Sequence, residues 1–211
     1  MKLGTALIMS GAGIPTVPGT PFGGGFYVGR MIDPNGVKYA LILAPKGSGE
    51  SGNRTAYTST NAAMTSLLSD WDGASNTAAM LADNRSPIAT FTANMTIGGF
   101  TDWFIPARYQ LELCYRNLKR STTANDLTGD GVTSNQYAYP NTPAYTASNP
   151  AQTSRALFQS GGSEAFEDDN YWTSSPYPST EAWYQDMNAG GLRHGSKTVG
   201  HRVRAVRMIK I

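Results

Sequence analysis

Gly98-Gly99-Phe100-Thr101-Asp102-Trp103-Phe104-Ile105-Pro106 decides how this chain is read. The glycine pair permits a tight turn, because glycine adopts positive φ without a Cβ penalty. Trp103 is large enough to anchor a fold with little regular structure. Asp102 is placed to cap local backbone donors ahead of Pro106, and proline suits a first helical position, where no donor is needed. Over 106–118, Ala107, Leu111, Cys114, Tyr115 and Leu118 then fall on one apolar stripe at helical spacing. Glu112 and Arg116 form an i,i+4 pair, expected on the opposite side of that helix. Cys114 lies on the stripe and reads as a buried core thiol, not a nucleophile.

Working outward, the runs 26–32 and 37–44 flank Asp33-Pro34-Asn35-Gly36. Pro34 presets φ for the first corner of a type I turn and Gly36 closes it, so the pair predicts a β-hairpin. The second run is apolar almost throughout and belongs in the middle of a sheet. Short helical pieces are expected at 61–68 and 76–82, and one or two helical turns at 152–159. Strands are expected at 171–175, 182–187 and 202–209. The stretch 119–150 is polar and long, which marks a functional or mobile loop. Residues 1–21 carry prolines at 15, 18 and 21 among glycines. That pattern fits a linker, a disordered tail or an extended arm; the scattered apolar side chains favour an arm ordered against a partner.

The composition limits the chemistry. The chain has 211 residues, with 17 Lys+Arg against 15 Asp+Glu, too even a balance for a dedicated nucleic-acid binder. One Cys rules out an intrachain disulfide, and two His rule out a His-rich metal centre. No apolar run is long enough to span a membrane, and the first residues make a poor cleaved signal. Gly-x-Ser-x-Gly, Walker and His-Glu-x-x-His motifs are all missing. Glu164, Glu167, Asp168 and Asp169 form a compact acidic run, read as a solvated loop and not as a glycosidase pair. Asp126-Leu-Thr-Gly-Asp130-Gly131 begins like a calcium loop, but Thr128 is a weak ligand and Tyr137 stands where the closing Glu belongs, so a turn is expected.

Four pieces in order carry a resemblance: Gly98 to Pro106 with its helix, Tyr171-Trp172-Thr173-Ser174-Ser175, Ala182-Trp183-Tyr184, and Val203-Arg204-Ala205-Val206-Arg207. Together they resemble the domain at the C-terminus of bacterial collagen-like adhesins and in phage and prophage tail proteins. That domain is C-type-lectin-like and related to formylglycine-generating enzymes. Pro21 to Arg30, Tyr39 to Lys46 and Tyr145 to Ser154 look like the phage tail branch. The resemblance implies an α+β domain over 22–211, with a small antiparallel sheet, two or three short helices and long loops. It implies that the first hairpin and the last strand share that sheet, and that the loops are displayed opposite.

The function so implied is a tail fibre or tail-tip protein on the virion that binds a host cell-surface receptor, glycan or protein. The alternative is a structural virion protein of the baseplate, collar or capsid decoration. The arm at 1–21 would contact other tail proteins, and the chain would form a homo-oligomer, a trimer by preference. No cofactor, metal, nucleic acid or membrane insertion is implied. A single core-facing Cys cannot reproduce the copper-binding cysteine pair of the formylglycine-generating relatives, so no enzyme activity is expected.

The tyrosine-rich loops over 119–200, with Ser, Asn and Gly around them, have the composition of a paratope. Tyr177 and Tyr184 offer aromatic faces, Asn188 an amide, and Arg193 and His194 positive or switchable charge. Trp183 and Tyr184 alternate across a strand, so Tyr184 is expected outward if Trp183 is inward. Beyond Asp186 the chain has bases and no further acid, a candidate surface for phosphorylated or carboxylated glycans. Purified protein is expected to leave bacterial polysaccharide undegraded; shortened chains by size-exclusion chromatography would overturn the non-catalytic reading.

Overall fold

The computed structural model describes residues 13–61, 69–128, 134–178 and 180–211. Asp33 closes the first hairpin: its Oδ1 accepts from Asn35 N (2.8 Å) and Val37 N (2.9 Å), and Gly36 N donates to its carbonyl. The strands that result are β2 (Gly25–Ile32) and β3 (Lys38–Leu43), preceded by the short β1 (Pro21–Phe22). Then come α1 (Lys46–Gly49), β4 (Thr55–Ala56), α2 (Gly73–Asp83), α3 (Pro87–Thr92), α4 (Arg108–Leu118) and a 3-10 turn at Ala156–Phe158. The last third holds β5 (Asn170–Pro176), β6 (Glu181–Asp186), β7 (Leu192–Ser196), β8 (Gly200–His201) and β9 (Val206–Lys210).

These elements mix helices with mainly antiparallel sheets, in agreement with the expected α+β class. Among the described residues there are four α-helices, not two or three, and three sheets, ordered β1-β2-β3-β9, β4-β8 and β5-β6-β7. The hairpin and the last strand do share a sheet: β3 pairs antiparallel with β9 from Tyr39↔Lys210 to Leu43↔Val206.

The strand expected over 202–209 is regular only from Val206. Before it, each residue bonds a different neighbour: Arg202 with Asn170, Val203 with Ser51, Ala205 with Ala44 and Gly49. The segment meets β5 at Arg202, then the 49–51 stretch through a single bridge at Arg204, so no one ladder runs its length. The helix expected at 76–82 is part of α2, capped by Asp72, whose side chain accepts from Ser75 N. Most of the helix expected at 61–68 lies outside the described residues, as do residues 1–12 of the arm. The end of the arm is tied to the chain itself: Gly19 N donates to Tyr27 O, and Arg155 donates to Pro18 O and Thr20 Oγ1.

Helix α4 is the centre of the main core. Leu111, Cys114 and Leu118 are fully buried against Val28, Leu41 and Leu43 of the sheet. Its other side is buried too: Glu112 and Arg116 form the expected i,i+4 pair, but out of solvent. Glu112 has no exposure and accepts from Arg116 Nε (2.8 Å), Asn135 Nδ2 (2.6 Å) and Tyr145 Oη (2.9 Å). Burial pushes its pKa up, and Arg116 is first among the groups that pull it back. The cover comes from the described part of the 119–150 stretch, expected as a functional or mobile loop. Lys119 Nζ donates to Thr123 O, Asn125 Oδ1 and Pro150 O, and Asn125 Nδ2 reaches Thr146 O. Buried polar groups need such partners, and here they bind the long connection to the helix.

Asp102 does not cap the helix. It takes Arg207 in a two-pronged pair (2.7 and 2.9 Å), and Gln110 Oε1 accepts from Ala107 N instead. Gly98 forms its turn at φ 61°, and a Cβ there would lie 2.7 Å from Gly24 Cα, so two turns meet where neither has room for a side chain. Trp103 and Trp172 are buried as anchors. Replacing Leu111 by Ala is expected to destabilise the protein by about 2–5 kcal/mol, read from the shift of its denaturant unfolding midpoint.

Candidate functional site

The β5-β6-β7 sheet carries most of the candidate residues, and strand alternation sorts them onto two faces. Trp183 pairs with His194 across β6 and β7, and Tyr184 with Arg193. One face therefore shows Trp183 and His194, the other Tyr184 and Arg193.

On the first face Tyr177 and His194 stack in parallel, centroids 3.7 Å apart and planes 2° apart. Trp183 stands edge-on to both, at 5.1 and 5.6 Å. His194 Nδ1 lies 2.6 Å from Glu181 Oε2, which orients the ring. Beneath the tryptophan, the Arg108 guanidinium sits 4.7 Å from the ring centroid and pairs with Asp70 at 3.2 Å. Arg108 Nε is buried and has no hydrogen-bond partner. Tyr177 and His194 remain half-buried while Trp183 is buried. The result is a fixed aromatic shelf with an acid and a base at its edges.

The second face is only partly open: Tyr184, expected outward, is half-buried. Its ring packs 5.9 Å from Trp172 and 4.5 Å from His201, and His201 lies 4.3 Å from Trp172. Trp172, Tyr57, Met80, Ile88 and Val203 form the core cluster behind them. Arg193 turns to the Asp126 carboxylate. Asn188 sits in the β6–β7 turn and accepts from Thr123 Oγ1 at 3.2 Å. Of the five candidate residues, then, Tyr177 and His194 come together; Tyr184, Arg193 and Asn188 lie apart from them. Arg108 and Glu181 complete the shelf and were not singled out from the sequence. Nothing local marks Arg108, since its partners Asp70 and Trp183 are remote in the chain.

The charged runs also differ from their sequence reading. Each residue of the acidic run has a cation: Glu164 with Arg204 (2.6 Å), Glu167 with Lys46 (2.7 Å), Asp168 with Arg120 (3.4 Å), and Asp169 with Arg54 (2.7 Å) and Arg202 (3.1 Å). Glu167 and Asp168 keep much of their exposure, as expected of a solvated loop, but Glu164 and Asp169 are largely buried and form an ionic seam. Ion pairing also removes the arginines of the basic C-terminal stretch as an anion surface, leaving Lys210 exposed. Arg193, Arg202, Arg204 and Arg207 are all matched within the chain, and Lys197 is buried.

Cys114 is buried, which pushes its thiol pKa up and away from nucleophile range. Among the described residues no three of His, Cys, Asp and Glu come close enough to hold a metal. Asp126 of the calcium-like stretch bonds Thr128 and Arg193; Asp130 lies outside the described residues. No family model matches this chain, and no curated protein matches it.

Burial pushes the His201 pKa down to about 4. The unfolded chain therefore takes up a proton near pH 6.5 that the folded chain refuses until about pH 4. Stability from this group is complete above pH 6.5 and falls across that window, by roughly 3 kcal/mol in all. Urea unfolding of the wild type against His201→Phe, from pH 7 to 4, is expected to show a steeper loss for the wild type; parallel profiles would refute the assignment.

Proposed function

We propose that this chain is a receptor-binding protein of a phage tail fibre or tail tip, non-catalytic and homo-oligomeric, built on a C-type-lectin-like fold. The sequence resemblance supplies the class. The observation that carries the binding reading is the shelf of Tyr177, His194 and Trp183. Rigid aromatic side chains give contact area at little entropic cost, and they dominate binding energy where such surfaces have been dissected. Packing against Arg108, and the bond to Glu181, fix these rings before any partner arrives. Tyr177 and His194 replace Tyr184 and Arg193 as the residues to bet on, because they share one face with Trp183, whereas Tyr184 packs on Trp172 and His201 and Arg193 pairs with Asp126.

The second reading, a structural subunit of the virion, is favoured by one observation. The 119–150 connection is anchored by Lys119, Asn125 and Asn135 instead of standing free, which suits a fixed contact with neighbouring virion proteins. The two readings part in one assay. Purified chain is expected to adsorb to host cells, and Tyr177→Ala with His194→Ala to weaken adsorption about tenfold or more with little change in melting temperature. Tyr184→Ala is expected to lower the melting temperature instead. Failure of the wild-type chain to adsorb, with incorporation into particles intact, would favour the structural subunit.

A further inference from the structure

With the C-terminal arginines matched, two cations without a carboxylate partner stand close together on the first hairpin. Among the described residues no carboxylate forms an ion pair with Arg30 of β2 or Lys38 of β3. The nearest acid in sequence, Asp33, is occupied by the turn amides of Asn35 and Val37 and by Tyr39 Oη. Both cations act on Tyr139. Lys38 Nζ lies 3.9 Å from the ring centroid, and Lys38 first, then Arg30, holds the phenol below its ordinary pKa. Burial raises the Tyr27 phenol above its ordinary pKa, and the nearby Arg30 guanidinium pulls it back.

A groove of about 220 Å³ runs between this hairpin, α4 and the 138–142 turn. Its wall includes Arg30, Tyr139, Asn117 and Thr142. The Thr142 hydroxyl is buried without a hydrogen-bond partner. Asn117 uses one N–H on Val28 O at 2.9 Å, which leaves its second N–H and its carbonyl oxygen for another molecule. Gly29 makes the groove possible, because a Cβ there would lie 2.9 Å from Asn117 Nδ2.

We infer that this groove binds one anionic sugar unit, its acidic group held by Arg30, with Lys38 beside Tyr139 adding positive charge at the rim, and its hydroxyls met by Asn117 and Thr142. The charge selects an anion. The amide, the hydroxyl and the exposed tyrosine at the rim select a polyhydroxylated ring over a bare ion, and the volume limits the occupant to about one unit. Charge-assisted hydrogen bonds in a half-buried site are the stronger kind. The inference rests on the receptor-binding reading and gives that receptor a chemistry. The groove is separate from the aromatic shelf, which lies on another sheet.

The test titrates D-glucuronate, D-glucose and acetate onto the full chain by calorimetry or NMR. Glucuronate is expected to bind about tenfold or more tightly than either of the others, with the preference weakening as salt rises. Arg30→Gln is expected to abolish the preference. Lys38→Gln, on the partly exposed strand end, gives a second variant should the first fail to fold. Tyr177→Ala is expected to leave glucuronate binding unchanged. Glucose 6-sulfate separates a carboxylate-selective site from one for anionic sugars in general, and either result sustains the inference. Equal binding of glucose and glucuronate, or of acetate and glucuronate, overturns it, as does an unchanged preference in both variants. Adsorption to cells that is indifferent to glucuronate and to Arg30→Gln would leave the receptor reading standing without this groove. Absent adsorption with intact glucuronate preference would do the reverse.

Discussion

The Arg204 side chain has no exposure to solvent, and moving a guanidinium out of water costs several kcal/mol unless its donors are met. They are met from distant parts of the chain. Nε reaches Ala44 O at 2.9 Å, and the two terminal nitrogens reach Glu164 through its carbonyl (2.7 Å) and its carboxylate (2.6 Å). Glu50 lies 3.7 Å away. Arg202 and Arg207 repeat the device on either side, with Asp169 and Asp102. The stretch before and into β9 thereby joins the first hairpin, the acidic run and the turn ahead of α4. Such pairs contribute less to net stability than to uniqueness of arrangement, since any other register would leave a buried charge alone. The end of β3, the acidic run and the turn ahead of α4 are held together at this junction.

The parts of the fold that could be read from the sequence were those with local causes. Asp33-Pro34-Asn35-Gly36 dictates its own turn, and the 106–118 stripe dictates its own helix. Helix α3 was legible but missed: Ser86 and Pro87 are a cap and a first-turn proline, and the Ser86 side chain does accept from Ala89 N. What could not be read were contacts between distant residues. Asp102 looks like a cap until Arg207 is placed beside it. Glu112 and Arg116 look like a solvent-side pair until Asn135 and Tyr145 arrive. An acidic run followed by a basic run hints at mutual neutralisation, but composition does not say which charge finds which.

The candidate surfaces show the same limit. Tyr177 and His194 were legible as aromatic and switchable groups in a late loop and strand. Their stacking depends on the β6–β7 register, which places His194 opposite Trp183. Tyr184 is one residue away and faces the core cluster, because alternation moves neighbouring residues to opposite faces and both faces here are partly covered. Arg30 and Lys38 became notable only once the C-terminal arginines had been assigned to carboxylates. Surface chemistry in this protein is thus what internal pairing leaves over.

The pairing of β3 with β9 also shapes how the chain acquires its structure. Strand β3 emerges early in synthesis and carries a nearly unbroken apolar run, yet its second neighbour is made only after residue 205. Until then one edge of a hydrophobic strand has no ladder partner. Closing so long a loop is slow, and unpaired apolar edges are where incomplete chains associate wrongly. Fragments that stop short of β9 should therefore behave as aggregation-prone intermediates, and the order in which the ribosome delivers the two strands becomes part of what the sequence has to manage.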